Sequence, residues 1–157
     1  MNRRILVLPA VAGLLAPVVA ACNGPVNEDA IVVGTTDTLS VSKDAPAPLD
    51  PAFAYDVGTW NILRQTVQTL MIQPRGEGEP VPEAAESCGF TDSGNERYAC
   101  TLRKDLKFAN GDPVTASDVK YSIDRARALK ADSGVFALLS TIDTVETQGD
   151  NEVIFHL

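Results

Sequence analysis

Apolar positions along the chain change their spacing from segment to segment, and each spacing predicts a different element. Ile5 to Ala21 runs without a charge but carries Pro9 and Pro17. The short β-branched run in "AIVVGTT" (30–36), ended by Gly34, suits a buried strand. From Thr35 to Pro51 the chain is polar and rich in proline, which predicts loop. Between Ala54 and Ile72, residues Trp60, Leu63, Val67, Leu70 and Met71 recur at helical spacing on one face. Gly58 weakens the first turns of that helix, and Pro74 stops it. "RGEGEPVPEAAES" (75–87) reads as a polar connector.

The second half alternates hairpins with a helix. "TDSGN" is dense in turn formers, with Gly94 free to take positive φ, and lies between Cys88 and Cys100. A hairpin centred on residue 94 places these two cysteines opposite each other, near disulfide reach. Asn110-Gly111 marks a turn. Thr115 followed by Asp118 approximates a capping box, and Val119, Ile123, Ala126 and Leu129 then define the apolar face of a helix. The opposite face carries Lys120, Asp124, Arg127 and Lys130, as expected of a solvated surface. In the tail, Val145 and Thr147 alternate on one strand and Val153, Phe155 and Leu157 on another, with Gly149-Asp150-Asn151 as the turn. An apolar strand at the end of the sequence, with no helix or cap after it, predicts a sheet edge or face left uncovered, hence the front of a longer protein.

The amino terminus adds an address to this picture. Asn2, Arg3 and Arg4 head the uncharged run, a signal-peptide layout, and the run is shorter than the about 20 apolar residues a spanning helix needs. Val19-Ala20-Ala21-Cys22 resembles the lipobox of bacterial lipoproteins, which implies cleavage before Cys22 and lipid on its thiol. Residues 1–21 are thus expected to be the signal peptide, 22–29 a flexible tether and 30–157 the folded part.

Charge narrows the partners. The formal net charge is −8, and it becomes more negative once Arg3 and Arg4 are removed. An acidic surface argues against nucleic acid as a partner. Outside the cytoplasmic membrane, a Cys88–Cys100 bridge would persist. No metal or other cofactor is expected, since His156 is the only histidine and no second ligand pair occurs at zinc-like spacing.

The order of short signals across the chain is similar to that of the family 5 extracellular solute-binding proteins, the oligopeptide-, dipeptide- and nickel-binding components of ABC importers. The matching positions are Pro82, Ala84 to Ser87, Tyr98 to Arg103, Lys107-Phe108, Asn110-Gly111 and Ala116 to Val119. The similarity extends back to "LDPAFAYDVGTWNILRQTVQTLM" and forward to "IDTVETQGDNEVIFHL", so that it covers roughly residues 30–157. Where the family often has aromatic or other apolar residues, Cys88 and Cys100 stand here together, which supports their pairing.

The resemblance implies an α/β architecture. The chain would form a mixed α+β subdomain and the first strand of a two-lobed periplasmic-binding-protein-like fold of the class II, cluster C type, ending before most of the ligand cleft. It also implies a small solute or peptide as ligand, ABC permease subunits as partners, and attachment to the extracytoplasmic side of the cell membrane through the lipid anchor. Thr36, Asp37, Thr38 and Ser40 occupy the loop that faces the ligand in the family and could offer hydroxyls and backbone amides.

Two other function classes compete. A hydrolase needs a nucleophile, a base and an oxyanion site, and no glycine-flanked serine elbow accompanies the single histidine. Catalysis is therefore not expected, although Glu83 with Glu86 and Asp112 with Asp118 offer paired carboxylates. The other competitor is a self-standing small lipoprotein that acts as a structural or partner-binding module.

Overall fold

The computed structural model describes residues 34–39, 41–43, 45–76, 78–132 and 134–157. The expected signal peptide, Cys22, the tether, most of the strand expected at 30–36, and Ser40 lie outside the described residues. The chain divides into two units, 1–36 and 37–157. In the first, Gly34, Thr35 and Thr36 are exposed and form no regular element.

In the second unit, helix α1 (Val57–Thr66) starts where Asp56 caps it and ends when Val67 turns extended. This corrects the expected helix over 54–72. Thr66, Val67 and Thr69 are β-branched and lower helix propensity. The chain gains backbone pairing by leaving the helix: strand β1 (Met71–Ile72) pairs antiparallel with strand β2 (Val81–Pro82). The amides of Glu83 and Ala85 donate to the Leu70 carbonyl, and that of Ala84 to Thr69. The expected polar connector therefore carries strand at Val81–Pro82 and from Ala85 onward. Glu83 locks the join, its carboxylate accepting from both the amide and the hydroxyl of Thr69.

Strands β3 (Ala85–Phe90) and β4 (Arg97–Leu102) form the expected hairpin, with Cys88 opposite Cys100 and Phe90 opposite Tyr98. Asp92 organises the turn, its carboxylate accepting from the amides of Gly94, Glu96 and Arg97. The positive φ falls on Asn95 (57°) rather than on Gly94; asparagine tolerates the left-handed region.

Helix α2 (Ala116–Leu129) carries the expected capping box between Thr115 and Asp118, and Lys130 ends it with φ of 48°. A short 3-10 turn (Val135–Leu139) leads to strands β5 (Thr144–Gln148) and β6 (Glu152–His156). The order in the antiparallel sheet is β3-β4-β6-β5. β6 is therefore an inner strand, paired on both sides, which rules out the edge, one of the two alternatives expected to be uncovered at the tail. The core gathers Ala85, Cys100, Leu102, Ala116, Val145, Val153 and Phe155 between the sheet and α2.

The charged side of α2 is corrected in part, Lys130 being exposed as expected. Lys120, Asp124 and Arg127 are half-buried. Lys120 Nζ donates to the Val145 carbonyl and to Asp124, and Arg127 donates to the Asp143 carbonyl. What local periodicity presents as a solvated face grips the edge strand of the sheet.

Candidate functional site

The corner where α1 begins collects the polar groups nearest the loop expected to meet a ligand. Asp56 stands in extended conformation ahead of the helix, and its carboxylate accepts from the amide of Thr59 at 2.9 Å and from its hydroxyl at 2.7 Å. Those bonds, the hydroxyl first, hold the Asp56 carboxyl below the usual carboxylate range. Thr59 is buried beneath them. Asp37 lies against this turn: a side-chain carbon added to Gly58 would stand 2.9 Å from Asp37 Cβ and 3.4 Å from Asp56 Oδ1.

Aromatic packing fixes the other side of the corner. Trp60 Nε1 donates to the Ala54 carbonyl at 3.0 Å. Tyr55 meets the Trp60 ring edge-on, and the Arg64 guanidinium sits 5.5 Å from its centre. The preceding turn is anchored from a distance, because Asp50 accepts from the Ala52 amide and from both terminal nitrogens of Arg125 on α2. Ala52 is in turn pressed on Gly134, where any side-chain carbon would collide with the Ala52 carbonyl.

Beside Trp60 opens an apolar hollow of about 180 Å³ lined by Leu63, Val67, Ile72 and Val135, with Arg64 and Glu83 contributing charge. Ligand pockets usually reach about 300 Å³ or more, so this hollow suits one side chain rather than a whole small molecule. Among the described residues, no three His, Cys, Asp or Glu side chains come together as a metal cage, and no helix is long and apolar enough to cross a membrane.

The family model of the bacterial extracellular solute-binding proteins, family 5 Middle, matches residues 79–157, from the end of the β1–β2 connection through β6. The chain belongs to the family 5 solute-binding proteins. Similar curated relatives include the periplasmic murein peptide-binding protein MppA of Escherichia coli, 40% identical over 83 residues, which are 53% of this chain and 15% of the relative. The probable D,D-dipeptide-binding periplasmic protein DdpA of the same organism is 33% identical over 130 residues, 80% of this chain and 24% of the relative. Among solved structures, OppA of Haemophilus influenzae, in complex with the peptide RPPGFSPFR, aligns with a TM-score of 0.60 at 27% identity, over 69% of this chain and 24% of that one. The chain thus spans about 15% of the length of the first curated relatives it matches. Family 5 is a family of solute-binding proteins rather than enzymes, and the mixed α/β unit is a part of its fold.

Of the site residues expected from the sequence, Asp37 lies against Gly58 of α1, Asp37 and Thr38 are exposed, and Thr36 is exposed in the other unit. Cys88 and Cys100 are joined as a disulfide, their Cα atoms 4.1 Å apart. Sequence reasoning missed the Asp50–Arg125 pair and the contact of Asp37 with Gly58. The one available signal was a glycine in the first turn of a helix that has no need of it.

Proposed function

We propose that this protein is the extracytoplasmic solute-binding component of an ABC importer, that its ligands are peptides, and that a lipid on Cys22 ties it to the cell membrane. The observation that carries this reading is the family match over residues 79–157. Its ligand class follows the relatives, whose names specify murein peptides, oligopeptides and D,D-dipeptides. In this reading residues 1–21 are the signal peptide, 22–29 the tether and 30–157 the solute-binding part. The loop bearing Thr36, Asp37, Thr38 and Ser40 meets the ligand with hydroxyls and backbone amides, groups that recognise a peptide through its main chain and so tolerate varied side chains. Lobe closure then buries the peptide, favoured only to the extent that the closed form binds it better. Permease subunits receive it. A free-standing partner-binding module has no observation in its favour.

Mass spectrometry of small molecules released on denaturing the protein, after purification from its own host, tests the ligand class. Short peptides in stoichiometric amount are expected; a different solute, or none after growth on peptide-rich medium, overturns it. Radiolabelled palmitate tests the anchor. Incorporation is expected, with loss in Cys22→Ala, and labelling that survives the substitution ends the lipoprotein reading.

A further inference from the structure

We infer that Gly58 is a positioning residue for the ligand loop: the side chain it lacks leaves the seat on which Asp37 rests, and this fixes where Asp37 and Thr38 are presented. The inference deepens the proposed function and rests on it for the claim that this loop meets the ligand.

A glycine inside a helix normally costs about 1 kcal/mol relative to alanine. Gly58 has no conformational reason to be glycine, since it is helical and absent from the positive-φ glycines among the described residues. The reason is spatial. A β-carbon at 58 would stand 2.9 Å from Asp37 Cβ and 3.3 Å from Asp37 Cγ. Carbon atoms closer than van der Waals contact must move apart, and a Cβ moves only with its backbone, so one of the two segments has to shift.

The helix side is held. Asp56 and Thr59 are joined by two hydrogen bonds, with Thr59 buried. Trp60 Nε1 is fixed to the Ala54 carbonyl. Arg125 anchors Asp50, and Gly134 receives Ala52. Asp37, Thr38 and Leu39 are exposed and outside any helix or strand, whereas Gly58 and Thr59 are buried, so displacing the loop disturbs less packed surface than displacing α1 does. Enlarging residue 58 therefore moves the loop and leaves α1 in place.

The test compares Gly58→Ala, Asp37→Gly and their combination with the unchanged full chain. In Gly58→Ala, amide hydrogen exchange over residues 37–39 is expected to rise about tenfold while exchange within α1 stays as it was, and affinity for the tripeptide Ala-Ala-Ala to fall about tenfold. In the Asp37→Gly background the same alanine has no Cβ to meet and improves helix propensity, so it is expected to raise Tm rather than lower it. Unchanged loop exchange in Gly58→Ala, or a Tm change of the same sign in both backgrounds, overturns the seat. Altered exchange with unaltered tripeptide affinity overturns the positioning role. Affinity is measured on the protein as purified from its own host; failure of that unchanged protein to bind the tripeptide counts against the peptide reading itself, and exchange and Tm then decide the seat independently.

Discussion

Arg125 holds both carboxylate oxygens of Asp50, at 3.0 and 2.6 Å, across 75 residues of sequence. The pair ties the turn before α1 to α2. Replacing Asp50 with Asn should cost about 1 kcal/mol, because the arginine side is more than a third exposed and solvent screens such pairs. Arg125→Lys should also lower stability, since an ammonium cannot reproduce the two parallel bonds. Urea unfolding midpoints of the two variants check both.

The same carboxylate makes stability pH-dependent. The bonds from Arg125 lead in holding the Asp50 carboxyl below its ordinary value of 3.8, against an opposing effect of burial. A depressed carboxylate contributes stability that is fully present above the unfolded value and is lost as pH falls through the folded one. The unfolding midpoint should therefore drop as the solution is acidified from about pH 5 to below about pH 3. Asp50→Asn should show a smaller drop. It should not abolish the drop, because Asp56 and Asp92 are also depressed, by bonds led by the Thr59 hydroxyl and the Glu96 amide respectively.

Reduction tests the clamp on the hairpin. The bridge closes a loop with a sequence separation of 12, and such loops contribute about 3 kcal/mol by restricting the unfolded chain. Adding a reductant, or making Cys88→Ala with Cys100→Ala, should lower the unfolding free energy by about that amount. Equal denaturation curves with and without reductant would show that the bridge contributes nothing.

Lys120 and Arg127 take the carbonyls of Val145 and Asp143 at the exposed edge of the sheet. Open strand edges invite pairing with other chains, and charged side chains blunt them. Substituting both residues with alanine should produce concentration-dependent association in sedimentation velocity, whereas Lys120→Arg with Arg127→Lys should remain unassociated.

How much of this was legible in the sequence depends on the range of the interaction. Both hairpins could be read, because their turns and facing residues lie within about a dozen positions and the register follows from them. The cap of α2 could be read for the same reason, Thr115 and Asp118 being three apart. The end of α1 could not. Leu70 and Met71 fit helical spacing, and only pairing with residues 81–85 draws them into a strand. Local periodicity also cannot distinguish a lysine bound to a strand from one in water, so it places Lys120 in solvent where the structure binds it to the Val145 carbonyl. Gly58 was visible as a weak point in a helix, whereas its contact with Asp37 depends on how a loop returns.

The position of β6 between β4 and β5 sets an order of assembly. β3 and β4 are joined by a short turn and can pair at once, but the far side of β4 stays bare until residues 152–156 reach it. The chain must then admit a strand beside one about 55 residues away in sequence, a long-range closure of the kind that slows folding. Until that closure β4 is raw β-edge, so completion of the sheet depends on the β5–β6 hairpin.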